Sequence, residues 1–139
     1  NDMSARSIEG ENPLYLPQAK VYRGGGGLGP GIAPAWEVDD PYDLGIQMTI
    51  ERAGAILWAG ETNTRELKRR FEDLIAYLFR EDRFPDGVIL CTGTALVPDS
   101  QFSLRSGDAI RITIEQIGTL LNSVVRGQHE LESATAREA

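Results

Sequence analysis

The sequence holds one cysteine and one histidine, and each scarcity closes off chemistry. A single cysteine, Cys91, cannot build a disulfide framework and fits a reducing, cytoplasmic setting. The lone histidine, His129, sits in a polar stretch near the C-terminus, so no histidine triad or histidine-rich metal site can be assembled. Acid–base work would therefore fall to carboxylates, lysine or metal-bound water. No apolar run approaches the ~20 residues of a membrane span, and no charged-then-apolar targeting segment opens the chain. Positive charge is also short: 14 Lys and Arg stand against 21 Asp and Glu, a net charge of −7. That balance argues against a nucleic-acid backbone as partner. A small anion would need a metal ion or a local lysine or arginine to hold it.

What is present suits one domain with a core: 139 residues, 41% hydrophobic and 25% charged. Residues 1–23 are polar and loop-like and end in the strand-like "AKVYR". Residues 24–45, "GGGGLGPGIAPAWEVDDPYDLG", are too rich in Gly and Pro for a helix and read as an ordered, winding loop. In "GIQMTIERAGAILWAG", Ile46, Met48 and Ile50 alternate with Gln47, Thr49 and Glu51, turn at "RAG" and return as "AILWA", a hairpin. Asn63 can cap a helix, with Glu66 three residues on. Leu67, Phe71, Leu74, Ile75 and Leu78 then form an apolar stripe, placing one main helix over about residues 64–80. After the stop "FPDG" come the apolar, strand-like "GVILCTG" and a turn-rich segment. In "AIRITIEQIGTLLNSVV", Ile110, Ile112 and Ile114 alternate again. Residues 126–139 are polar and are expected to fray. The expected architecture is a single β-rich α+β unit with one helix against a sheet.

Gly24, Gly26 and Gly29 formally satisfy a dinucleotide fingerprint, but "PGIAP" follows where a helix must open, and no Lys-Ser/Thr pair makes it a P-loop. The run is better read as backbone needing positive φ and close approach. "CTGT" at 91–94 reads first as a strand end with a tight turn, and second as a ligand-facing loop whose Gly amide and Thr hydroxyl hold a carboxylate. Cys91 reads as packing, Trp36 and Trp58 as core or interface anchors, and "RELKRR" as a solvated face. The opening "NDMSARSIEGENPLYLPQAK" is denser in chemistry. Pro13 and Pro17 let Asp2 and Lys20 converge on one point. A carboxylate, a hard divalent cation and a lysine would suit enolate chemistry on a 2-oxo acid.

That opening resembles the signature of the fumarylacetoacetate hydrolase family, N-D-x-S-x-R-[DS] followed by a lysine. The resemblance runs on through the Gly/Pro loop, "ETNTRELKRRFEDLIAYL", "TGTALVP" and "GDAIRITIEQIGTLLNSV", over about residues 1–125. The "EGENPLYLPQAK" form is most similar to the sugar-acid branch, the 2-keto-3-deoxy-pentonate dehydratases. The resemblance implies a twisted, mixed β-roll, a homodimer, and Mg²⁺ (or Mn²⁺ or Ca²⁺) without an organic cofactor. It places Asp2 at a metal-ligand position, Lys20 at the catalytic lysine, and Thr94 with the Gly93 amide at the substrate carboxylate. Glu9 falls where the hydrolases often have a substrate-facing Gln, and Ser7 where Asp is frequent. The family's further ligands, a Glu-x-Glu pair, lie upstream of the N-D motif; "EGE" at 9–11 lies downstream of it. The chain is thus expected to be the C-terminal part of a longer enzyme and inactive alone. The reaction implied is metal-dependent dehydration of a 2-keto-3-deoxy sugar acid. Alternatives are C–C hydrolysis of an acylpyruvate or fumarylacetoacetate-like compound, oxaloacetate decarboxylation, or an inactive binding subunit. The small 2-oxo acid would be the partner, with no nucleic acid or membrane.

Overall fold

The computed structural model describes residues 1–138, with side chains through Ser133. Its centre is one antiparallel sheet of Gly45–Arg52 (β1), Ala55–Asn63 (β2), Ala109–Ile114 (β3) and Gly118–Ser123 (β4), in the order β2-β1-β3-β4. The β1–β2 hairpin closes through Ala53 and Gly54, with φ of 50° and 81°. Positive φ at both central residues matches the right-handed strand twist of a two-residue hairpin turn. A bulge between Ile50 and Glu51 then lets Ile50 face Trp58 and Glu51 face Ile56.

Period-two alternation sorts the two faces. Ile46, Met48 and Ile50 on β1 stand directly opposite Ile114, Ile112 and Ile110 on β3. These aliphatic cross-strand pairs are the unit that holds such a sheet together. The same rows continue outward to Thr62, Gly60 and Trp58 on β2, and to Gly118, Leu120 and Asn122 on β4. The opposite face is polar: the Thr113 and Thr119 hydroxyls meet at 2.9 Å, and Glu51 approaches Arg111 at 3.9 Å. Among the described residues, Ala19, Leu44, Ile50 and Ile110 are the fully buried apolar ones.

One buried charge locks the sheet's end. Asp108 is wholly buried, and its carboxylate accepts from Arg52 Nε at 2.6 Å, Arg52 Nη2 at 2.8 Å and the Arg105 amide at 2.8 Å. The Arg52 bond, helped by the Arg105 amide, holds the Asp108 carboxyl below the ordinary carboxylate value against the opposing effect of burial.

Several expectations are corrected. The polar opening is not loop: it forms short helices at Arg6–Glu11 (α1) and Leu16–Lys20 (α2), so "AKVYR" is no strand but the last two residues of a helix followed by a turn. Asn12 starts the turn between them by accepting from the Leu14 amide at 2.9 Å. Asn63 does cap, but its acceptor serves the Arg65 amide in a single 3-10 turn, Thr64–Glu66. Leu67 then turns extended, with ψ of 120°. The helix proper, Phe71–Leu78 (α3), begins where the Tyr42 hydroxyl accepts from the Phe71 amide at 2.7 Å. Tyr42 also stacks on Phe71 at 4.9 Å and lies under the Arg70 guanidinium at 4.0 Å. Within "RELKRR", Arg65 and Arg70 are therefore paired, Arg65 with Asp43.

"GVILC" forms no strand, Ile89 is 65% exposed, and Cys91 is exposed rather than packed. An unbroken apolar run carries no alternation to fix its state, and without a neighbouring strand it has no ladder to join. The polar C-terminal stretch is helical, Gly127–Glu138 (α4), instead of frayed. Glu130 accounts for this by accepting from the Arg126 amide at 2.6 Å and the Ser106 hydroxyl at 2.7 Å, while Leu131 covers Gly24. Trp36 is 86% exposed and so is no core anchor, whereas Trp58 lies over Gly60. The described helices include none long and apolar enough to cross a membrane.

Candidate active site

The signature segment folds back on itself because its main chain is stitched on both sides. Asn1 exchanges two hydrogen bonds with Gly27, both 2.9 Å, which brackets an antiparallel bridge between Asp2 and Gly26. The Met3 amide donates to Gly25 O at 2.9 Å and the Ala5 amide to Ala19 O at 3.0 Å. Gly24, at φ 75°, and the tight turn from Tyr22 to Gly25 bring the Gly run alongside. The run is thus the partner of the Asp2 arm, in keeping with positive φ and close approach.

Lys20 ends α2, anchored by the buried Ala19, and its Nζ reaches Asp2 Oδ2 at 2.9 Å. The structure therefore joins the two residues that sequence placed at the centre of the chemistry. Both stay open to solvent, with side chains 44% exposed for Asp2 and 29% for Lys20. Glu9 is not drawn into this pair: its carboxylate meets Arg6 Nη1 on α1 at 2.5 Å. Gly93 takes φ of 88°, and Thr94 Oγ1 accepts from the Leu96 amide at 2.9 Å. That leaves the Thr94 hydroxyl proton free to be donated to a carboxylate. Among the described residues, no hydrogen bond or ion pair joins Thr94 to Asp2, Glu9 or Lys20.

The sheet nonetheless aims both segments at one face. Leu96 packs on Gly60 of β2, and Gly27 packs on Asn122 of β4. Gly60 and Asn122 lie at the two ends of rows that run through the isoleucine ladder. Three strand spacings separate these edges, roughly 14 Å along a flat sheet.

A hard divalent cation takes carboxylate, carbonyl and water oxygens, often only one or two carboxylates besides substrate. Asp2 fits one such ligand, being an open carboxylate on a fixed backbone. Among the described residues no three His, Cys, Asp or Glu gather into a metal cluster. The carboxylate of Asp2 is thus the one oxygen donor of this type that the described hydrogen bonds and ion pairs bring beside Lys20 in the signature segment. Two surface depressions, one lined by Phe79–Arg83 and the other by residues including Gln47, Glu61 and Arg65, lie apart from it.

The sequence reading passed over Asn122. Its signal was a polar residue in an inward slot, two positions after Leu120, in the face shared with Ile110 and Ile112. The amide has a purpose there: Asn122 Oδ1 accepts from Asn1 Nδ2 at 3.0 Å.

Comparison with known proteins gives the family. Residues 1–125 match the family described as Fumarylacetoacetate (FAA) hydrolase C-terminal, and the chain belongs to that family. It is 50% identical over 124 residues to "Probable 2-keto-3-deoxyxylonate dehydratase" of Haloferax volcanii, covering 89% of this chain and 43% of that protein. It is 46% identical to the 2-dehydro-3-deoxy-D-arabinonate dehydratase of Saccharolobus solfataricus, covering 89% of this chain and 42% of the relative. A solved 2-keto-3-deoxy-D-arabinonate dehydratase, complexed with magnesium and 2,5-dioxopentanoate, superposes with a TM-score of 0.86 at 45% identity, covering 90% of this chain and 44% of that one. The chain therefore spans less than half the length of these relatives.

Proposed function

We propose that the whole protein is a Mg²⁺-dependent dehydratase acting on a 2-keto-3-deoxy sugar acid. The observation that carries this reading is the Asp2–Lys20 contact at 2.9 Å, which unites a carboxylate and a lysine within the family signature. The magnesium and 2,5-dioxopentanoate held by a relative of 45% identity support the same assignment. Such a dioxo acid is what remains when a 2-keto-3-deoxy-pentonate loses its C3 proton and C4 hydroxyl as water to give a C3=C4 enone. The enone then loses a C5 proton and gains one at C3, and the resulting C4=C5 enol takes a proton at C4 to become an aldehyde.

When bound, the cation supplies Lewis acidity toward the 2-oxo acid. Asp2 contributes one oxygen toward it. Lys20 moves the proton at C3. Thr94 donates its hydroxyl, and Gly93 its amide, to the substrate carboxylate, while Glu9 faces the sugar hydroxyls from α1. Mg²⁺ is the cation, Mn²⁺ and Ca²⁺ are substitutes, and no organic cofactor takes part. Asp2 alone does not complete such a site, and the chain spans 43% of one dehydratase relative, so turnover is assigned to the whole protein and not to this chain by itself. The enzyme is cytoplasmic and a homodimer, and Ile32 (94% exposed) and Trp36 (86% exposed) are the side chains a partner would cover.

The test is a two-readout assay on the whole protein with Mg²⁺. 2-Keto-3-deoxy-pentonates are scored for semialdehyde formation, and acylpyruvates and oxaloacetate for pyruvate release. Semialdehyde without pyruvate is expected. Pyruvate without semialdehyde would move the protein to C–C cleavage or decarboxylation, and neither product would leave a binding subunit.

A further inference from the structure

We propose that Asn122 is the positioning residue for Asp2, a role that rests on the reading of Asp2 as a cation ligand. Asn122 does not touch Asp2. It touches the Asn1 side chain and Gly27, the two residues whose main chains flank Asp2, and it does so from a row that holds the buried Ile110 and Ile50.

Asn122 lies directly opposite Ile110, which in turn faces Ile50, and both isoleucines are fully buried. A side chain projecting from that row inherits the fixed position of the core. Asn122 Oδ1 accepts from Asn1 Nδ2 at 3.0 Å, on the residue before Asp2. On the other side, a β-carbon on Gly27 would stand 2.5 Å from Asn122 Oδ1, 2.8 Å from Nδ2 and 2.9 Å from Cγ. The carboxamide therefore lies flat against Gly27, where only glycine fits. Gly27 and Asn1 are the pair whose two main-chain hydrogen bonds bracket the Asp2–Gly26 bridge. One amide thus meets both strands of the bridge that carries Asp2.

The carboxamide is also suited to the task chemically. Asn122 Oδ1 is the acceptor for the Asn1 carboxamide, so an aliphatic side chain at position 122 would contact Gly27 but remove that hydrogen bond. Groups hydrogen-bonded directly to a metal ligand typically contribute about 10–100-fold to cation affinity, and Asn122, acting through the neighbours of Asp2, is expected at the lower end of that range.

The experiment is a double-mutant cycle in the whole protein, read by calorimetric titration with Mg²⁺ in the absence of substrate and by thermal melting. Asn122→Ala and Asn1→Ala are each expected to weaken Mg²⁺ binding about tenfold. The double variant is expected to be no weaker than either single one, because both changes remove the same hydrogen bond. Asn1 lies on a surface arm, so Asn1→Ala tests the idea even if Asn122→Ala fails to fold. Gly27→Ala is expected to weaken binding to a similar degree by displacing the carboxamide. Unchanged affinity in Asn1→Ala, or additive losses in the double variant, would overturn the role. A wild type that binds Mg²⁺ but forms no product from any test substrate would sink the dehydratase reading alone, since the cycle is read on binding. A wild type that binds no cation would sink both.

Discussion

The indole of Trp58 occupies the space above Gly60, where a β-carbon would stand 2.6 Å from Cη2. The same β-carbon would meet Leu96 Cδ2 at 3.2 Å. Gly60 is therefore the seat on which the Thr94–Leu96 turn rests. Gly60→Ala should displace a large, rigid ring and cost about 1–3 kcal/mol of stability. In the whole protein it should also raise KM for the 2-oxo acid more than it lowers kcat if, as proposed, the moved Thr94 turn binds the substrate carboxylate. Thermal melting and steady-state kinetics check both; an unchanged KM would separate Leu96 from Thr94.

Lys20→Met should reduce turnover of the whole protein by at least about a hundredfold, the usual scale of a lost proton-transfer group. Mg²⁺ binding should survive, because lysine repels the cation rather than ligating it. The fold should change little, since a solvent-open ion pair contributes about 0–1 kcal/mol. Substantial residual activity would remove Lys20 from the chemistry.

Asp108 predicts an acid limit. Its carboxyl is held low in the folded chain, chiefly by Arg52. A depressed native pKa adds stability that is complete above the unfolded value of about 3.9 and disappears as pH falls through the native value. Asp108→Asn should therefore be less stable than wild type at pH 7, and the gap should narrow as pH is lowered below about 4. Urea titrations at neutral and acid pH measure the gap directly. A gap that holds constant would mean the pair is not what fails in acid.

Ala53 sits in the left-handed region, with φ of 50°, where a β-carbon costs roughly 1–2 kcal/mol. Ala53→Gly should relieve that strain and raise the melting midpoint, even after the entropy glycine adds to the unfolded chain. A lowered midpoint would show that the turn tolerates its alanine without strain.

The sheet was legible because alternation survives in β1 and β3: Ile46, Met48 and Ile50, then Ile110, Ile112 and Ile114, face one another as the pattern requires. The bounds of α3 were not legible. The apolar stripe continues through Leu67, but what starts the helix is Tyr42, which lies far back in the Gly/Pro loop. The helical C-terminal stretch escaped for a similar reason, since Glu130 reaches Ser106 across the fold. In the site, the spacing of Asp2 and Lys20 around two prolines only allowed their meeting, and the resemblance of the opening segment to a family signature is what singled them out. Asn122 stayed hidden because a strand asparagine shows its worth only once its neighbour across space is known.

Glycine-rich loops are ordinarily where a sequence absorbs insertions and deletions at little cost. This one is different, because it runs antiparallel along β4 and touches every second residue of that strand. Gly27 rests on Asn122, Gly29 on Leu120, and Pro30 on Gly118. Adding or removing a single residue between Gly27 and Pro30 would move at least one of these contacts off its place on β4. The length of this loop is therefore as constrained as that of a core strand, and changes of length should be accommodated beyond Pro30, toward the exposed Ile32 and Trp36.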